Sequence, residues 1–160
     1  MKITDLRART VAIPTTAMLR HNMGVHPGYL MRTIIEIFTD EGIVGLGEVG
    51  GGDQVGAFEK IKSRIIGLDP FDLELIKLKV LRSIYYLSNE RIYGAIEIAC
   101  LDIMGKACHV PMHQLLGGKI RDSIPMIAYL FWRYDRPDGR DDTRAEDLAE
   151  YCVELKESLG

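Results

Sequence analysis

Several groups of side chains in this sequence have the types and spacing that chemistry needs. His26 and Asn22 lie in a polar stretch from Thr15 to Gly28 that also holds His21, Gly24 and Pro27. An imidazole and a carboxamide can each donate to and accept from hydroxyl and carboxylate oxygens. A loop of that length without periodicity of its own is more often functional than accidental, although a solvated loop would use the same residues. Tyr129 and Phe131 are two apart and share a side if the chain is extended there. A phenol can donate to a ligand, but aromatics in an apolar run are also ordinary core material. Cys108, His109 and His113 offer metal ligands, yet a fourth ligand is missing and the segment reads as a fraying helix end before Pro111. Gly45-Leu-Gly47-Glu-Val-Gly50 matches G-x-G-x-x-G literally. That fingerprint needs a parallel strand feeding a helix, whereas this strand returns from a hairpin turn, so a dinucleotide site is a weak reading. Glu48 and Asp102 are carboxylates near apolar segments, and their expected role is structural hydrogen bonding.

The elements that must position these groups follow from periodicity. Ile35, Ile37 and Thr39 alternate with Ile34, Glu36 and Phe38, which reads as a strand. Asp40-Glu41-Gly42 turns it, since glycine takes a positive φ without cost, and Ile43, Val44 and Leu46 carry the return. Lys2 to Ile13 reads as an earlier strand ended by Pro14. The product is a three-stranded antiparallel sheet.

Helices come next. Asp53 should cap one carrying Val55, Phe58, Ile61 and Ile65. Asp69-Pro70 should start another, with Leu73, Ile76, Val80 and Ile84 at helical spacing. Arg91 to Ala107 reads as a third, apolar on most sides, and Pro111 opens a short turn of helix closed by Gly117-Gly118. From Ser123 the pattern changes. Ile124 to Phe131 is a nearly continuous apolar run, read as a strand covered on both faces. Thr143 with Glu146 forms a capping-box pattern for a last helix, with Leu148, Cys152 and Leu155 inward.

Bulk properties narrow the class. Of 160 residues, 47% are hydrophobic and 27% charged, a globular composition. A net charge of −3 is too mild for a nucleic-acid surface, and no apolar run reaches the ~18 residues of a membrane span. The N-terminal residues carry no signal-peptide core, so a cytoplasmic address is expected. Three cysteines without C-x-x-C spacing read as reduced thiols.

Two stretches carry a family resemblance: RTIIEIFTDEGIVGLGE from Arg32 to Glu48, and AIEIACLDIMGKACHVPMHQLLGG from Ala95 to Gly118. Together with the order of elements between them, they make the chain resemble the N-terminal part of the enolase superfamily, in its mandelate racemase and muconate lactonizing branch. Gly24-Val25-His26-Pro27-Gly28-Tyr29 and Tyr129-Leu130-Phe131 are most similar to the glucarate dehydratase group.

The resemblance implies an α+β capping domain over residues 1–122, followed over 123–160 by the first β/α unit of a truncated TIM-type barrel. It implies a magnesium-dependent acid-sugar dehydratase, a lyase that abstracts a proton next to a carboxylate. His26, Asn22, Tyr129 and Phe131 become substrate-binding candidates. A complete barrel needs about 250 residues. The family's lysines, metal-binding carboxylates and catalytic histidine would fall beyond Gly160, so no catalytic or metal residue is assigned here and the chain alone should be inactive. The remaining barrel would come from a missing C-terminal part or another chain, and a homo-oligomer is expected. A racemase or cycloisomerase of the same superfamily, or a non-catalytic binding module, are the alternatives.

Overall fold

In the computed structural model, residues 1–82, 90–127, 129–134, 136–139 and 144–159 are described. Their order is β1 (Ile3–Pro14), β2 (Met18–His21), β3 (Gly24–His26), β4 (Tyr29–Thr39), β5 (Val44–Gly50), α1 (Val55–Ile65), α2 (Leu73–Leu81), α3 (Glu90–Cys108), α4 (Met112–Leu115), β6 (Trp132–Tyr134) and α5 (Ala145–Leu159). Two compact units result: Met1–Val11 with Met31–Ser123, and Ala12–Leu30 with Ile124–Gly160.

The first unit is built on the sheet β1-β4-β5, with three strands antiparallel as the alternation predicts. Thr33, Ile35, Ile37 and Thr39 of β4 point inward and are buried. The turn closes at Gly42, whose φ is 78°, and Thr39 Oγ1 both donates to the Ile43 carbonyl and accepts from its N–H. Phe58, Ile61 and Ile65 of α1, Ile76 and Val80 of α2, and Ile96, Ala99 and Ile103 of α3 complete one core with the strands.

The two glycines of β5 explain the G-x-G motif. A Cβ at Gly45 would drive into the Ala99 carbonyl oxygen, and one at Gly47 into that of Ala95. Glycine here lets the α3 backbone lie directly on the strand. Asp102 then ties the two elements together. Its Oδ2 accepts from Leu46 N at 2.9 Å and from Lys106 Nζ at 2.7 Å, and Lys106 also donates to the Val44 carbonyl. Glu48 pairs with Arg32 Nε at 3.1 Å.

Several local expectations are corrected. The N-cap of α1 is Gln54, not Asp53, whose carboxylate is occupied by the Gln54 side-chain amide. The cap of α2 is Asp72, without a side-chain cap bond. Helix α3 is covered on most sides, as its apolar residues predict, and a narrow strip that includes Ile98 stays exposed. Cys152 is exposed, and the inward side of α5 is marked by half-buried Leu148, Tyr151 and Leu155. Ile84 and Thr143 lie outside the described residues.

The larger corrections concern the second unit. Thr15 to Gly28 is not irregular, for it holds the hairpin β2–β3. Ile124 to Phe131 contains no strand among its described residues. Ile124 is 72% and Ile127 is 92% exposed. A strand exists only through ladder partners, Pro125 offers no N–H, and none of the described residues pairs with the run. The strand forms instead at Trp132–Tyr134 and joins the sheet β3-β2-β6.

Candidate functional site

The second unit draws the sequence-predicted residues towards one place. Strand β2 pairs antiparallel with β3, with Leu19 opposite His26 and His21 opposite Gly24. It also pairs with β6, with Arg20 opposite Trp132. Side chains diagonal across an antiparallel pair share a face and reach one another when long or aromatic. His21 and His26 stand in that relation, and glycine opposite His21 leaves the space open. Their Nε2 atoms are 3.1 Å apart.

The ring of Phe131 lies close to both histidines, with centroids 6.0 Å from His21 and 6.3 Å from His26. Tyr129 packs on Phe131 edge to face at 4.7 Å, a favourable aromatic geometry. Asn22 sits in the two-residue turn between β2 and β3, exposed to solvent.

A cleft of about 400 Å³ is lined by Arg20, His21, Asn22, Tyr129, Leu130, Phe131, Trp132 and Leu148. Three of the four candidates, Asn22, Tyr129 and Phe131, line it directly. His26 is not one of its lining residues and reaches it through contact with His21 and Phe131. The sequence reading missed Arg20, His21, Trp132 and Leu148. Arg20 and His21 could have been found from the hairpin register, had the short strands been recognised.

The lining is one arginine, several other hydrogen-bonding groups and apolar surface. Arg20 offers a planar fork of donors suited to a carboxylate. Asn22, Tyr129 and Trp132 can donate to hydroxyl oxygens. Such a surface complements a small, hydroxylated anion. Nearby, the Arg133 guanidinium is buried and lies 3.4 Å from the Tyr151 ring centroid, a cation–π contact between β6 and α5. Among the described residues no three His, Cys, Asp or Glu side chains gather as a metal site, Cys108, His109 and His113 included. No helix among them is long and apolar enough to cross a membrane.

Comparison with known proteins gives these geometries a context. The family model described as mandelate racemase / muconate lactonizing enzyme, N-terminal domain, matches residues 4–117. The "Probable glucarate dehydratase" of Streptomyces coelicolor is 31% identical over 163 residues, covering 87% of this chain and 37% of that protein. The N-succinyl-L-Arg/Lys racemase of Bacillus cereus is 31% identical over 140 residues, covering 81% of this chain and 37% of its own. A crystal structure of an enolase from Thermobispora bispora, complexed with magnesium and formate, has a TM-score of 0.79 at 32% identity. It covers 98% of this chain and 43% of its own length. The chain therefore spans less than half the length of each of these proteins.

Proposed function

The chain belongs to the mandelate racemase and muconate lactonizing family of the enolase superfamily, and on that footing we propose that it is the N-terminal portion of a magnesium-dependent acid-sugar dehydratase. Residues 1–122 would form the capping domain and 123–160 the opening of the barrel. The observation that carries the substrate class is the cleft, which sets Arg20 beside Asn22, Tyr129 and Trp132. The relative named as a glucarate dehydratase, aligned over 87% of the chain, supports the same class.

The chain's own residues would recognise the substrate. Arg20 takes a carboxylate, and Asn22 and the Tyr129 hydroxyl meet successive sugar hydroxyls. His26 holds one end of the acid sugar through a ring N–H, and Phe131 walls the site. Each donor left unpaired by a wrong stereoisomer costs roughly 1–3 kcal/mol, which is how such a cleft selects.

Magnesium belongs to the complete protein in this reading, as in the Thermobispora bispora structure. The described residues do not fit it, since they gather no ligating cluster. The ion's carboxylates, and the groups that abstract the proton next to the substrate carboxylate, are therefore assigned to the remaining barrel.

The second reading is a racemase or epimerase, favoured by equal identity to the Bacillus cereus racemase. The two separate in one experiment. The complete protein is incubated with magnesium and D-glucarate in deuterium oxide. A dehydratase releases water and yields a 2-keto-3-deoxy acid. Deuterium incorporated next to the carboxylate without loss of water would overturn the dehydratase reading in favour of the racemase.

A further inference from the structure

His21 has a role that its place beside His26 defines. We propose that His21 is a positioning residue that fixes the tautomer of His26, so that His26 carries its ring proton on Nδ1.

The direction of the hydrogen bonds follows from one backbone group. The Met23 N–H lies 3.1 Å from His21 Nδ1. An amide N–H can only donate, so His21 Nδ1 is the accepting, unprotonated nitrogen. A neutral imidazole carries one ring proton, which in His21 must then be on Nε2. That nitrogen is 3.1 Å from His26 Nε2. His21 therefore donates and His26 Nε2 accepts. The proton of His26 is left on Nδ1, because the bond made by one ring nitrogen sets the state of the other.

The hairpin supplies the rigidity this needs. The two-residue turn brings the Met23 amide back onto the ring two positions before it. The register sets His21 and His26 diagonally on one face, and Phe131 packs close to both rings. The same bonds exclude the pair as a metal site. An ion between the two Nε2 atoms would need His21 unprotonated on both nitrogens, since Nδ1 is already an acceptor.

That the Nδ1–H of His26 meets a substrate oxygen rests on the function proposed above; the tautomer does not. The test is long-range proton–nitrogen correlation on the 15N-labelled protein at a pH where its imidazoles are neutral. The sequence has four histidines, so single substitutions assign the spectrum. The native protein should show His26 protonated on Nδ1 and His21 on Nε2. His21→Gln, whose side-chain amide can still donate, should keep the His26 pattern. His21→Leu, which cannot, should release His26 to a mixture containing Nε2–H. A native His26 protonated on Nε2 overturns the proposal without recourse to any variant. So does a His26 that stays on Nδ1 in folded His21→Leu. In the complete protein, the KM for D-glucarate should rise about tenfold for His21→Leu and stay near native for His21→Gln. If the tautomers are as stated but D-glucarate is not a substrate, the functional reading fails and the positioning role stands.

Discussion

Replacing Gly45 by alanine tests the packing that joins β5 to α3. The added methyl overlaps the Ala99 carbonyl oxygen and lies 2.7 Å from Ile103 Cγ1 and 2.9 Å from the Ala99 carbonyl carbon. Two of these atoms are backbone, so relief requires strand and helix to part. Overpacking a core costs about 1–3 kcal/mol, and backbone contact places this site near 3. With a urea slope of about 2 kcal/mol per molar, the unfolding midpoint should fall by roughly 1.5 M. Gly94 on the same helix is the control, because a Cβ there meets nothing within 4 Å. Gly94→Ala should gain about 0.5–1 kcal/mol from helix propensity and raise the midpoint. The assay is urea unfolding followed by circular dichroism. A Gly45→Ala protein as stable as the native one would refute the packing account of the G-x-G motif. A dinucleotide site would instead leave stability intact and lose nucleotide affinity.

Other outcomes follow from the same structure. Asp5 accepts from Lys62 and Arg7, which lower its carboxyl below the ordinary 3.8. A depressed folded value stabilises above the unfolded one, so Asp5→Asn should lower the melting temperature at pH 7, with the gap closing as pH falls below about 4. Burial, aided by Glu97, pushes the Cys100 thiol up to about 12, while Cys108 and Cys152 are exposed. A thiol reagent at pH 8 should modify Cys108 and Cys152 quickly and Cys100 only on unfolding, as read by peptide mass. The isolated 160-residue chain should turn over no acid sugar. Millimolar magnesium should not raise its melting temperature, since a ligand stabilises only as far as it binds the folded state.

The first sheet was legible because β4 alternates cleanly over many residues and Gly42 marks its turn. The hairpin β2–β3 was not, because strands of four and three residues are too short to show a period. Its signal was Gly24 after the turn, opposite His21. Ile124 to Phe131 misled for the opposite reason. Its composition favours a strand, but β-propensity describes fit to a paired surface and does not supply the partner. The candidates His26, Asn22, Tyr129 and Phe131 could be named from the sequence as a resemblance. That His21 and Arg20 join them depends on which residues face each other across β2, β3 and β6, and register is not written in strands this short.

In the proposed function this chain recognises an acid sugar, and the remaining barrel of the complete protein would perform the chemistry. The direct measurement is kcat/KM for D-glucarate and its stereoisomers with His26→Ala and Tyr129→Phe, beside deuterium exchange next to the substrate carboxylate. One lost polar partner is worth roughly 1–3 kcal/mol and 1.36 kcal/mol is tenfold, so each variant should lose about one to two powers of ten. Exchange should survive in both. If both variants keep native efficiency on every acid sugar, the substrate class assigned to this cleft is wrong.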